Sequence, residues 1–170
     1  LTQNFKLQPP NLEIMVIGIL KEPGAEKRVA MLPGEAAVIK KLGVDIIVEA
    51  GAGEKAFVPD RDYLSAGASV SGRNDLISKC SFLLSVNPLL EEDMDLFSEG
   101  QILCSAVNPA ENGKWLEKAR IHGLTILALD MIPRTTRAQS MDILSSMATV
   151  AGYKAVLAAA SVLPKFFPMF

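Results

Sequence analysis

Six short apolar runs, separated by stretches with helical spacing, constrain this chain more than any other feature. The runs are Ile14–Leu20, Val44–Glu49, Ser69–Val70, Ser81–Val86, Ile102–Val107 and Leu124–Leu129. The longer ones are continuous in Val, Ile and Leu rather than alternating, as strands are when helices cover both faces of a parallel sheet. Helical patterns at Glu35–Leu42, Asp60–Ala66, Asn74–Lys79, Glu91–Phe97 and Lys114–His122 fall between them. This alternation predicts an α/β lobe with a doubly wound, mostly parallel sheet. The first helix shows the punctuation clearly. Pro33-Gly34 opens it, Glu35 lies near its positive end, Lys40-Lys41 lie near its negative end, and Gly43 stands where a left-handed stop is favoured.

The rhythm breaks after Leu129. Asp130–Ala138 is a polar loop, and Gln139–Val162 is a single long helical pattern. Residues 14–138 therefore read as the α/β lobe, and 139–170 as a long helix and truncated connector toward a further, Rossmann-type domain. Residues 1–13 are polar, carry Pro9-Pro10 and have no apolar secretion core, so they read as an N-terminal extension. With 49% apolar and 21% charged residues in 170, the chain has the means to bury a core. A net charge of −2 without a basic block argues against nucleic acid as a partner. No continuous apolar run approaches the roughly 18 residues a membrane helix needs. The longest, Ala155–Leu163, follows Lys154, so the expectation is a soluble chain able to dock onto a membrane complex.

Few residues invite a chemical reading. Cys80 and Cys104 lie in apolar, strand-like contexts and read as buried reduced thiols. His122, the sole histidine, precedes Gly123 at a helix end, where a histidine caps the last carbonyls. Zinc is excluded for lack of ligands. Three loops fall beyond the carboxyl ends of strands, where ligands bind in such folds. In the first, Arg28 can grip a carboxylate or phosphate, or hold its own loop, and spacing favours the structural role. In the second, Ala50-Gly51-Ala52-Gly53-Glu54 lacks the third glycine of a dinucleotide fingerprint and reads as a tight turn. The third, Pro133–Ser146, is the richest. If the helix begins at Gln139, a turn of about 100° per residue gathers Gln139, Asp142, Ser146 and Thr149 on one arc, with Ser145 at its edge. Met141, Leu144, Met147, Ala148 and Ala151 line the other side. Two arginines precede this polar stripe, so it suits an amide or a pyrophosphate at a helix start. A solvated face with an Arg137–Asp142 ion pair is the structural alternative.

The segment PRTTRAQSMDILSSMATVAGYK, Pro133 to Lys154, strongly resembles the NAD(H)-binding domain of proton-translocating NAD(P) transhydrogenases. KEPGAEKRVAML at Lys21–Leu32 and VEAGAG at Val48–Gly53 resemble the N-terminal lobe those enzymes share with alanine dehydrogenases. The resemblance implies a flavodoxin- or Rossmann-like first lobe followed by a Rossmann domain. It implies that Arg134, Gln139, Asp142 and Ser145 contact the nicotinamide end of NAD(H), with Arg137 in the same loop and Arg28 structural or lining the cleft. NADP(H) would sit on a partner domain, and a membrane proton-channel subunit would complete a complex whose cytoplasmic, soluble part dimerises.

Where alanine dehydrogenases carry a proton-transferring histidine and a lysine, this chain has Ser105–Pro109 and Val86-Asn87-Pro88. Oxidative deamination needs acid–base help, whereas hydride transfer between two nicotinamides needs only alignment and dryness. The expectation is direct transhydrogenation by the full-length subunit, with no residue acting as acid or base. An alanine-dehydrogenase-like oxidoreductase is the alternative, and a non-enzymatic interaction module a third reading.

Overall fold

The computed structural model describes residues 15–165; the expected extension at 1–13 and the last part of the expected connector lie outside them. The chain forms two compact units, Leu1–Ala128 and Leu129–Phe170.

The first unit carries a six-stranded sheet in the order β3-β2-β1-β4-β5-β6, every pairing parallel. The strands are β1 Val16–Ile19, β2 Asp45–Glu49, β3 Ser69–Ser71, β4 Phe82–Leu84, β5 Ile102–Ser105 and β6 Thr125–Ala128. All six expected strands are present, most shortened at their ends, and the sheet is parallel throughout. Helices α1 Pro33–Lys40, α2 Asp60–Ser65, α3 Arg73–Lys79 and α4 Gly113–Ile121 connect them. One expectation is corrected in type: Glu91–Leu96 is a 3-10 turn rather than an α-helix. Its opening Glu91-Glu92-Asp93 holds three acids in one turn, and only Met94 and Asp93 reach the interior.

Continuous apolar strands put successive side chains on opposite faces, and two cores result. Ile19, Ile46 and Val48 pack with Ala36 of α1 and Tyr63 of α2. Leu83 and Leu103 pack on the other face with Leu76 and Ile77 of α3, Cys80 just after it, and Trp115 and Ala119 of α4. Each fully buried leucine or isoleucine contributes about 2 kcal/mol. The polar tips that go inside are matched: the Tyr63 hydroxyl donates to the Met31 carbonyl at 2.8 Å, and Trp115 Nε1 donates to Leu89 at 2.8 Å. The chain moves from β3, across β2 and β1, to β4 on the far side. The order therefore reverses between β1 and β4, and that is the crevice where ligands of open α/β sheets bind.

The second unit holds two 3-10 turns, Leu129–Met131 and Gln139–Met141, and one long helix, α5, Ile143–Val162. The expected start of this helix at Gln139 is corrected to Ile143. Asp142 has extended backbone (φ −74°, ψ 98°), and its side chain accepts from the first free amides. That is the preferred behaviour of aspartate at a helix start. The expectation about membrane length is corrected too. Across its 20 residues α5 has a mean hydropathy of 1.4, long and apolar enough by composition to cross a bilayer. Counting uninterrupted runs misses this, because scattered Ser, Thr and Lys154 interrupt an alanine-rich helix without lowering its average much.

Candidate functional site

In the second unit, short turns give the Pro133–Ala138 loop its shape. The Thr135 amide donates to Pro133, the Ala138 amide to Thr135 at 3.0 Å, and the Met141 amide to Ala138 at 2.9 Å. Ala138 is the buried peg of this segment, and its neighbours are exposed. The loop therefore turns its polar side chains outward around the start of α5.

The result is an open concavity of about 250 Å³ lined by Arg134, Thr135, Thr136, Gln139, Asp142 and Ser145. Four of the five residues singled out from sequence meet there. Arg137, the fifth, is exposed and outside the lining. Asp142 Oδ1 accepts from the Leu144 amide at 2.9 Å and the Ser145 amide at 3.2 Å, while Oδ2 accepts from the Ser145 hydroxyl at 2.6 Å. The carboxylate is thus taken up by its own helix, not by an ion pair with Arg137. The Ser145 hydroxyl and amide hold the Asp142 carboxyl below its ordinary value, with a weaker contribution from Arg134. The single polar arc is also corrected. Gln139 lies on a separate 3-10 turn, and the Ser146 hydroxyl turns back to the Asp142 carbonyl at 3.1 Å. Thr135 and Thr136 escaped the sequence reading, although they lie inside the same PRTTRA string.

The set provides guanidinium donors from Arg134, an amide able to donate and accept from Gln139, and hydroxyls from both threonines and Ser145. The lining holds no histidine, cysteine or lysine, and its one carboxylate, Asp142, is engaged by its own helix. Such a surface can hold and orient a neutral polar group. A primary carboxamide on a flat ring fits this donor and acceptor set.

In the first unit, the β1–β4 crevice is closed by the chain itself. Glu22, 4% exposed, accepts from the Val86 amide at 2.5 Å and the Asn87 amide at 3.1 Å. Arg28 grips Glu26 with two bonds, Nε to Oε1 at 2.9 Å and a terminal nitrogen to Oε2 at 2.6 Å, and the Asn87 side chain also donates to Glu26. Arg28 therefore holds its loop, as its spacing suggested. Beside it lies a cluster no sequence pattern revealed. Arg73 pairs with Glu49 at 2.8 Å and Asp93 at 2.6 Å, and Glu49 also accepts from the Lys21 amide. A larger open hollow of about 530 Å³ lies at the opposite, amino edge of β1, β2 and β3. Its two lysines are already engaged, Lys40 by Asp45 and Lys79 by Asp75.

The glycine turn behaves as expected. A Cβ at Gly53 would lie 2.5 Å from the Val58 carbonyl oxygen, so this glycine serves a close approach within the chain. His122 caps α4 through its backbone, but its side chain faces Asp95 at 3.5 Å instead of the helix carbonyls. That end of α4 meets Gly100 just before β5, at the amino edge of the sheet. Cys80 and Cys104 are buried and free, and among the described residues no cluster suits a metal.

A parallel sheet in the order 3-2-1-4-5-6, with helices on both faces, defines a Rossmann-like α/β lobe, here followed by a polar-capped long helix. The family profile "Alanine dehydrogenase/PNT, N-terminal domain" matches residues 18–151, and the chain belongs to that family. It is 40% identical over 143 residues to NAD(P) transhydrogenase subunit alpha of Cereibacter sphaeroides, covering 84% of this chain and 27% of that protein. A solved transhydrogenase from Sinorhizobium meliloti superposes with a TM-score of 0.85 at 36% identity, covering 91% of this chain and 47% of that one. A solved L-alanine dehydrogenase gives 0.79 at 29% identity, over 86% and 40%. The chain thus spans less than half the length of each of these relatives.

Proposed function

We propose that this chain is the first lobe of the NAD(H)-binding domain of an NAD(P) transhydrogenase alpha subunit. In this reading the concavity at Arg134, Gln139 and Ser145 seats the nicotinamide end of NAD(H). The observation that carries it is the convergence of these polar groups at the capped start of α5, where the one carboxylate, Asp142, is engaged by its own helix. NAD(H), when bound, supplies or takes up a hydride at its nicotinamide ring. What the residues do is hold the carboxamide and fix the ring plane: Arg134 donates, Gln139 donates and accepts, and Thr135 and Thr136 close the side of the hollow. Alignment of this kind is worth several powers of ten in rate when both reactants are bound rings.

The hydride would pass directly to NADP(H) on a separate domain, and a membrane proton-channel subunit would couple that transfer to proton movement. The lobe would belong to the cytoplasmic, soluble face of a dimeric complex, with Ile143–Val162 as an interdomain connector rather than a membrane span. Two features favour transhydrogenation over amino-acid oxidation. The one histidine lies at the amino edge of the sheet, away from the loops at the carboxyl edge. Asn87 is occupied in tying Glu22 and Glu26 together.

The test uses the full-length subunit. Gln139→Leu is expected to slow hydride transfer between nucleotides far more than it weakens NADH binding. Equal damage to both refutes a positioning role, and pyruvate- and ammonia-dependent NADH oxidation by the parent enzyme would favour the dehydrogenase reading. The hollow is too small for adenosine and pyrophosphate as well, so the 170-residue chain alone is expected to bind NADH weakly or not at all. Micromolar binding by calorimetry would overturn that.

A further inference from the structure

Four asparagines stand among the described residues, and the residue after each decides its chemical fate. An asparagine loses its side-chain amide when the backbone nitrogen of the next residue attacks the amide carbon and closes a cyclic imide. That nitrogen must carry a hydrogen and be open to approach. Asn87 and Asn108 precede Pro88 and Pro109, whose nitrogens carry none. Asn74 precedes Asp75 within α3, where a side chain crowds the approach. Asn112 is followed by Gly113, which has no Cβ in the way.

The structure leaves both reacting groups of this pair unengaged. Asn112 stands just before α4, yet its side chain caps none of the helix amides. Its Nδ2 donates to the Val107 carbonyl at 2.8 Å and to the Asn108 carbonyl at 3.4 Å. Among the described residues nothing bonds its Oδ1 or the Gly113 amide. Gly113 is exposed, and a Cβ there would meet nothing within 4 Å. One angle holds the reaction back. With ψ at 36°, the Gly113 nitrogen and the Asn112 side chain lie on opposite sides of the Cα–C bond. Ring closure needs them on the same side, so the backbone must turn, which pulls the Asn112 carbonyl away from the Leu116 amide it accepts at 3.0 Å. A helix start without a side-chain cap opens in this way at low cost.

We infer that Asn112–Gly113 is a self-modification site, at which opening of the start of α4 commits Asn112 to deamidation. The Gly113 nitrogen bonds to Asn112 Cγ and gives up its proton, the Cγ–Nδ2 bond breaks, and ammonia leaves with that proton. Water then opens the ring at either carbonyl, giving aspartate or isoaspartate, whose backbone runs through Cβ. One water enters, one ammonia departs, and nothing is oxidised or reduced. Either product replaces a donor by a carboxylate, which only accepts. The two ties to the Val107 and Asn108 carbonyls, which join the end of β5 to α4, become repulsive. Isoaspartate also adds a methylene to the chain just before Trp115, which is buried and donates to Leu89. The aged protein therefore has a looser β5–α4 junction.

The test incubates the full-length subunit at mildly alkaline pH and maps its peptides by fragmentation mass spectrometry, with thermal melting alongside. Wild type and Gly113→Ala are each followed folded and in urea. We expect a gain of about 1 Da at Asn112, from exchange of NH2 for OH, with isoaspartate the main product. Asn87 and Asn108 should keep their mass, and Asn74 should react more slowly. Gly113→Ala places its methyl group in open space, so it should fold and slow the gain severalfold. Urea should speed the gain in wild type, since α4 no longer restrains ψ. Aged wild type should melt below fresh wild type, while Gly113→Ala aged for the same time keeps its midpoint. An equal rate in Gly113→Ala, a folded Asn112 that never reacts, or a faster gain at Asn74 overturns the site. A rate in urea no higher than in the fold overturns the gating by α4, and an unchanged midpoint in the modified protein overturns the looser junction. If Gly113→Ala does not fold, the rates at Asn112 and Asn74 in the same wild-type digest decide.

Discussion

Replacing Gly53 with alanine tests whether the glycine-rich turn after β2 is a packing device or part of a nucleotide site. At Gly53 φ is −87°, a value any residue adopts, so a methyl group brings no backbone strain there. It brings a collision. The new Cβ would lie 2.5 Å from the Val58 carbonyl oxygen, 2.9 Å from Tyr63 Cε2 and 3.0 Å from Val58 Cβ. The oxygen belongs to the backbone, and Tyr63 is fully buried with its hydroxyl tied to Met31. Neither can give way cheaply. Relief requires opening the turn in which the Ala56 and Val58 amides both donate to the Gly53 carbonyl at 2.9 Å. Overpacking of this kind costs about 1–3 kcal/mol, and the rigidity on both sides puts Gly53→Ala at the top of that range. A chain of this size should lose about 6–12 °C of melting temperature for it. Gly51→Ala is the control. Its φ of +72° brings left-handed strain of about 1–2 kcal/mol, but its Cβ meets only the flexible ends of Glu54 and Lys21, at 3.1 Å. Urea titration of both variants in the full-length subunit should rank Gly53→Ala as the more damaged, while nucleotide affinity of the folded protein stays unchanged. A Gly53→Ala variant as stable as wild type refutes the packing argument. A folded variant with lost affinity would restore the nucleotide-loop reading.

Three further outcomes follow from the polar groups of the first unit. The Arg28 guanidinium, aided by the Arg28 amide and the Asn87 side chain, holds the Glu26 carboxyl far below its ordinary 4.5. A depressed carboxyl stabilises the fold fully above the unfolded value, and the stabilisation is lost as pH falls below it. Glu26→Gln should therefore flatten the loss of stability on acidification below about pH 4.5, and an unchanged acid limb in urea titrations would contradict this. Arg73→Met leaves Glu49 and Asp93, both little exposed, facing one another without their cation. A loss of about 3 kcal/mol is expected, the lower end for a broken buried pair, and less than 1 kcal/mol in urea unfolding would refute it. Burial pushes the Cys80 thiol up to about 12 and raises that of Cys104. Thiol reagents at pH 8 should then label neither until denaturant is added, and rapid native labelling of either would contradict the packing.

What the sequence revealed and what it hid divide along a physical line. Strand and helix identity is written locally: the Ile102–Val107 run and the Pro33-Gly34 opening carry their own signals, and the structure trims the strand to Ile102–Ser105 and moves the helix from Glu35–Leu42 to Pro33–Lys40. The order of the strands is not local. Pairing Ile17 with Phe82 brings together residues far apart in sequence, and no spacing rule announces it. The Arg73–Glu49–Asp93 cluster was hidden for the same reason, since its members come from the end of β2, the start of α3 and the Glu91–Leu96 turn. Asp142 shows another failure. Its sequence context, aspartate three residues before Ser145 at the start of a long apolar pattern, is a cap signature. The helical period extends smoothly back through Gln139, however, and period overrode cap. The residues of the hollow were found by their type and proximity, while the hydrogen bonds between Asp142 and the first residues of α5 depend on backbone angles that sequence does not disclose.

The two units treat polar side chains in opposite ways, and that contrast bears on mechanism. In the first unit the groups at the carboxyl edge of the sheet satisfy one another. Glu22 closes on the amides after β4, Arg28 on Glu26, and Arg73 on two carboxylates. A buried charge engaged in this way cannot be recruited by a ligand without leaving its partner stranded, at a cost of several kcal/mol. The usual crevice of this topology is therefore sealed by its own residues. In the second unit Asp142 is taken up by the Leu144 and Ser145 amides and the Ser145 hydroxyl, while Arg134 and Gln139 line the hollow beside it. A hollow lined without histidine, cysteine or lysine suits the proposed transfer of a hydride with no proton moved at the ring. General acid–base chemistry would need the reverse: a titratable group left partly unsatisfied, with its pKa drawn toward neutrality.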